Sequence, residues 1–100
     1  MSSTQKNSSV HFWFALDVQT VATAREAVEY ALMEAGALGT ETDDTSKELV
    51  SVTGYFDRTP DRELVRRELA EALRVYDLPT SSVSQMKLRE VADEDWLGEW

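Results

Sequence analysis

The chain has 100 residues, 42% of them hydrophobic and none of them cysteine, which describes one small domain held by packing and excludes disulfides, thiolate nucleophiles, iron–sulfur clusters and cysteine-ligated zinc. Ten basic against nineteen acidic residues leave a formal charge of −9, which keeps a domain in solution, repels phosphate backbones and anionic lipid, and attracts a positively charged protein. No apolar run approaches the roughly 20 residues that span a bilayer, and the polar start of the chain is unlike a signal peptide, so the expected location is cytoplasmic, with no nucleic acid and no membrane as partner.

Residues 1–9 are rich in serine, hold nothing to bury and are expected to form a disordered tail. From Val10 the pattern changes. Val10, Phe12, Phe14, Leu16 and Val18 alternate with His11, Trp13, Ala15 and Asp17, the period of a strand with one buried face. Between Val21 and Ala35, the residues Val21, Ala24, Val28, Ala31, Leu32 and Ala35 fall on one helical stripe, with Thr20 a candidate cap at its start and Gly36 at its end. A short edge strand is expected at Leu38 to Thr42, before the polar turn Asp43-Asp44-Thr45-Ser46-Lys47.

Leu49 to Phe56 is rich in β-formers, with Val50, Val52 and Phe56 on one face and Leu49, Thr53 and Tyr55 on the other; Gly54 interrupts it and predicts a bulge. Thr59-Pro60-Asp61 predicts a helix start, with a capping hydroxyl, proline at the first helical position and an acid in the first turn. That helix runs to about Tyr76, with Leu64, Val65, Leu69, Ala72, Leu73 and Tyr76 as its apolar stripe, and Leu78-Pro79 stops it. Val83 to Val91 is the last strand, Met86 and Leu88 pointing inward. The order β-α-β-β-α-β predicts an α+β ferredoxin-like sandwich over residues 10–92, a four-stranded antiparallel sheet with two helices on one face. Residues 93–100 predict the start of a further helix.

The chemistry-bearing residues do not assemble a catalytic site. His11 is the single histidine, with no serine or aspartate spaced to make it a base. The cluster Asp93-Glu94-Asp95 lacks the spacing of a calcium loop and suits a helix start, and the four glycines form no phosphate-binding run, so no catalytic, cofactor-binding or metal residue is expected. The aromatic residues are more informative. Trp96 and Trp100 share a helical face and need cover, either under this domain's own sheet or against a neighbouring domain. Trp13 and Tyr55 fall on outward phases and are candidate contacts on the open sheet face, for a substrate or for the C-terminal segment.

Three runs carry a resemblance: Ala31-Leu32-Met33-Glu34-Ala35-Gly36-Ala37-Leu38-Gly39-Thr40-Glu41, Gly54-Tyr55-Phe56-Asp57, and Val91-Ala92-Asp93-Glu94-Asp95-Trp96-Leu97-Gly98-Glu99-Trp100. Together they resemble the N-terminal domain of the PrmA family, the ribosomal protein L-eleven methyltransferases. The last run is the most specific, since it looks like that family's junction between recognition domain and linker. The resemblance implies a ferredoxin-like domain that binds a ribosomal protein substrate. A C-terminal catalytic domain of the same chain, holding S-adenosylmethionine, is then expected to methylate lysine and N-terminal amines. No catalytic or cofactor residue carries over, so the piece by itself is expected to catalyse nothing.

Two other readings share the β-α-β-β-α-β order. An RNA-recognition module stacks bases on aromatics of a basic third strand, and Leu49 to Phe56 has no basic residue. An ACT-like regulatory domain binds a small molecule near a glycine-bearing turn after the first strand, whereas Asp17-Val18-Gln19-Thr20 runs straight on without glycine.

Overall fold

The structure, a computed structural model, describes residues 12–44, 46 and 48–92. The expected tail over 1–9, His11, the expected helix start over 93–100 and with it Trp96 and Trp100 lie outside the described residues.

Six principal elements follow the expected order: β1 (Phe12–Val21), α1 (Arg25–Glu34), β2 (Gly39–Asp44), β3 (Leu49–Phe56), α2 (Arg62–Val75) and β4 (Val83–Ala92). Short 3-10 turns at Ala22–Ala24 and Thr80–Ser82 lead into α1 and β4. The four strands form one sheet in the order β2-β3-β1-β4, and every neighbouring pair is antiparallel. Each helix therefore joins two strands with a third lying between them, and the class is α+β as expected. The helices pack against each other and against the sheet, so Ala27, Val28, Ala31 and Leu32 of α1 and Val65, Leu69, Ala72 and Leu73 of α2 share one core with Leu16, Val18, Val50, Val52 and Phe56.

Strand alternation sorts the two faces. Leu16 and Val18 of β1 pair with Gly54 and Val52 of β3 and with Leu88 and Met86 of β4, all on the helix side. The intervening positions Trp13, Ala15, Asp17 and Gln19 face the other way, as the period of two predicts. β1 runs three residues further than Val18, and this overturns the expected cap. Thr20 lies inside the strand, fully buried, and its Oγ1 donates to the Ser82 carbonyl at 3.0 Å. α1 starts after a 3-10 turn without a side-chain cap, its entry held instead by Ala22 N–H donating to the Glu48 carbonyl at 2.8 Å.

Helix ends are decided by local hydrogen bonding. Gly36 at φ +109° ends α1 as expected: its N–H donates to the Met33 carbonyl and Ala37 N–H to the Leu32 carbonyl, both at 3.0 Å, the paired bonds of a Schellman motif. α2 is capped by Asp61 rather than Thr59, with Pro60 before the cap and not in the first turn. Asp61 Oδ1 accepts from Glu63 N–H at 3.0 Å and, more weakly, Leu64 N–H at 3.4 Å, so the carboxylate satisfies orphan donors where the hydroxyl was expected to. At the other end Asp77 takes the left-handed conformation, φ +61°, and the same paired bonds run from Asp77 N–H to Arg74 and from Leu78 N–H to Leu73. The helix thus ends one residue before Tyr76, through an aspartate in glycine's usual role.

Gly54 makes no bulge. The registers of β3 with β1 and with β2 pass through it unbroken. The glycine answers a close approach instead: a Cβ there would lie 3.3 Å from Leu32 Cβ and Cδ1, and 3.3 Å from Phe56 Cε1. The register shift of the sheet falls between Gln19 and Thr20, opposite Ser84 of β4.

Candidate functional site

With both helices on one face, the other face of the sheet is open, and its residues are the odd-numbered positions of β1 from Trp13 to Gln19, of β2, of β3 from Ser51 to Tyr55 and of β4 from Gln85 to Val91; beyond the register shift Val83, paired with Thr20, packs on the helix side. The registers arrange them in rows across the strands. Gly39, Tyr55, Ala15 and Arg89 make one row; Glu41, Thr53, Asp17 and Lys87 the next; Asp43, Ser51, Gln19 and Gln85 the third.

The centre of this surface is a hydrogen-bonded cluster. Asp17 Oδ2 accepts from Arg89 Nε at 2.6 Å and Asp17 Oδ1 from Arg89 Nη2 at 3.1 Å, a two-point pairing of guanidinium and carboxylate. Thr53 Oγ1 donates to the same Oδ1 at 2.6 Å. The Arg89 hydrogen bond holds the Asp17 carboxyl below its usual range; partial burial opposes this, and the Thr53 bond adds to it. Arg89 is raised by the same bond to Asp17. A carboxylate engaged in this way is neutralised and positioned, and is not a base waiting for a proton.

Towards the β2 edge the balance changes. Tyr55 Oη donates to Glu41 Oε1 at 2.7 Å, and this bond, with burial second, pushes the phenol up from its ordinary value. Glu41 and the exposed Asp43 have no cationic partner among the described residues. Asp17, Glu41, Asp43, Thr53, Tyr55 and Arg89 line an open depression of about 480 Å³. It has an aromatic ring, hydroxyls and two unneutralised carboxylates, the functional groups that receive a primary amine. Among the described residues no three carboxylate or histidine side chains converge on a metal position.

Of the residues expected to make contacts, Tyr55 is on the open face and contributes to this depression. Trp13 shares the face, half-buried and paired with Val91 of β4, but Tyr55 stands opposite Ala15, two residues along the strand, so the tryptophan does not line the depression. Ala15 is fully buried despite its outward phase, between the larger side chains of Tyr55 and Arg89 in neighbouring strands. Asp17, Glu41, Asp43, Thr53 and Arg89 were not singled out from the sequence. Alternation put Asp17 and Thr53 on outward phases, but only the register brings Arg89, 72 residues away, to Asp17.

No described helix is long and apolar enough to cross a membrane, and no family model matches the chain. Among curated proteins it is similar to a ribosomal protein L11 methyltransferase of Streptococcus agalactiae serotype Ia, 28% identical over 109 aligned positions that take in 88% of this chain and 34% of the relative. One of Streptococcus equi subsp. zooepidemicus is 25% identical over 108 positions, with the same coverage. The chain spans about a third of the length of the curated relatives it matches.

Proposed function

We propose, from this homology with ribosomal protein L11 methyltransferases and in keeping with an N-terminal PrmA domain, that the chain is the substrate-recognition part of such an enzyme. The observation that carries the reading is the extent of the match, nearly all of this chain against about a third of each relative, which is the extent of one domain. In this reading the chain binds a ribosomal protein in the cytoplasm and presents its lysine and N-terminal amines to a separate catalytic domain. Its contribution is positional: docking raises the effective concentration of each amine at the methyl donor without changing the chemistry.

In this reading the chain itself does not hold S-adenosylmethionine. The connection from β1 to α1 is Ala22–Ala24, without glycine, and its Ala22 N–H is bonded to the Glu48 carbonyl, which is unlike a glycine-rich turn that cradles a nucleoside. The donor and all bond-making steps are assigned to the catalytic part of the parent protein. The substrate docks on the open face, where Glu41 and Asp43 meet lysine ammonium groups and Tyr55 supplies an aromatic surface.

Calorimetric titration of the 100-residue chain with purified ribosomal protein L11 tests this. Binding that falls with salt, and weakens roughly three- to tenfold in a Glu41→Gln/Asp43→Asn variant, is expected. Binding of free amino acids without binding of the protein would instead establish the small-molecule regulatory reading.

A further inference from the structure

We infer that the groove between α2 and the outer edge of β4 is a docking site for an extended acidic segment of a partner protein, which adds to the sheet as a fifth strand. Three features converge there. β4 is the last strand of the sheet, ten residues long, and its outer backbone groups have no strand partner among the described residues. Beside it α2 turns one stripe towards the edge, and together they line a groove of about 400 Å³ with Leu69, Leu73 and Met86 as its apolar part and Ser84 at the strand. Arg62 and Arg66 complete the lining.

Those two arginines select the occupant. Arg25, Arg58, Arg74 and Arg89 each lie beside a carboxylate, whereas Arg62, Arg66 and Arg67 have no ion pair among the described residues, although acids outnumber bases nearly two to one. Arg62 and Arg66 stand one turn apart, where like charges repel, and Arg62 opens the helix, where the backbone dipole disfavours a cation. Glu63 stands three residues before Arg66 but makes no ion pair with it, so no pairing within the helix accounts for the two arginines, while a carboxylate ligand does. A strand pairing with β4 sends every second side chain to the helix side, so a segment whose helix-side positions hold both acidic and apolar residues serves both the arginines and the apolar wall. The groove is separate from the open face, and its occupant is independent of the substrate proposed there.

The test uses the isotope-labelled 100-residue chain and an acetylated, amidated peptide in which every second residue is in turn glutamate or leucine, with threonine at the positions between, followed by NMR. Shifts are expected in the backbone amides of residues 83–88 and along 62–73. Arg62→Gln with Arg66→Gln should weaken binding tenfold or more, while Arg67→Gln, which does not line the groove, leaves it unchanged. Equal binding of a glutamine version of the peptide, shifts centred on Asp17 and Tyr55, or no binding at millimolar peptide would overturn the proposal. So would concentration-dependent shifts at β4 without peptide, which would place a second copy of this chain in the groove through its acidic β2 edge.

Discussion

Asp17 on β1 and Arg89 on β4 are joined by two hydrogen bonds, 2.6 and 3.1 Å long, across the open face of the sheet. Thr53 of β3 adds a third bond to the same carboxylate, so one side chain ties three of the four strands together on the face that no helix covers.

Replacing Asp17 tests that tie through its pH dependence. Its folded-state pKa lies below the ordinary 3.8, so the stability it confers is present above that value and is lost as the pH falls below it towards the folded value. Asp17→Asn should cost about 1 kcal/mol at neutral pH, the range for a partly exposed, well-formed ion pair. Urea midpoints between pH 6 and pH 2.5 should show the wild-type advantage shrinking at the acid end; an advantage independent of pH would assign the loss to packing instead.

Gly54 is set by the approach of α1. Relief of glycine's entropy cost favours alanine by about 0.5–1 kcal/mol, while crowding in a packed core costs about 1–3 kcal/mol. With Leu32 and Phe56 both 3.3 Å from the new Cβ, crowding wins: Gly54→Ala should lower stability by about 1 kcal/mol and Gly54→Val by more. Gly39→Ala, where nothing lies within 4 Å, should be neutral or slightly stabilising in the same thermal melts.

Asp77 pays a backbone penalty where glycine would not. Its φ of +61° is left-handed, so Asp77→Gly should raise stability by about 1 kcal/mol, and Asp77→Val should lower it. Gly36→Ala, at φ +109°, should be destabilising although nothing crowds its Cβ. Chemical denaturation of the three variants separates backbone strain from packing.

The two candidate caps of α2 can be told apart directly. Asp61→Ala should cost about 1 kcal/mol, the usual loss of a capping side chain, because Glu63 and Leu64 N–H lose their acceptor. Thr59→Ala should change the denaturation midpoint little, since Thr59 stands outside the helix start and is exposed.

Much of the fold was legible in the residues themselves. The alternation from Phe14 to Val18, the exact bounds of β3, the inward Met86 and Leu88, and the glycine closing α1 all follow from short-range rules: strand period, apolar stripe and backbone handedness. The misassigned positions had two plausible local roles. Thr20 has the right side chain for a cap, Gly54 the right character for a bulge, and Thr59 and Asp61 are both capping residues. Neighbours distant in sequence settled the first two, Ser82 beneath Thr20 and Leu32 above Gly54; at α2, the helix began two residues later than Pro60 suggested.

The sequence by itself determined the order of elements, which side of each strand and helix is apolar, and the acidic balance, because each depends on composition or on spacing within a few residues. Only the tertiary structure decided what the outward side chains do. The pairing of Asp17 with Arg89, the depression formed by Glu41, Asp43 and Tyr55, and the placing of Arg62 and Arg66 beside the β4 edge all require strand order and register. Polar side chains on a solvated face carry no periodic signal that names their partners, so the surfaces available for recognition appear only when the strands are aligned.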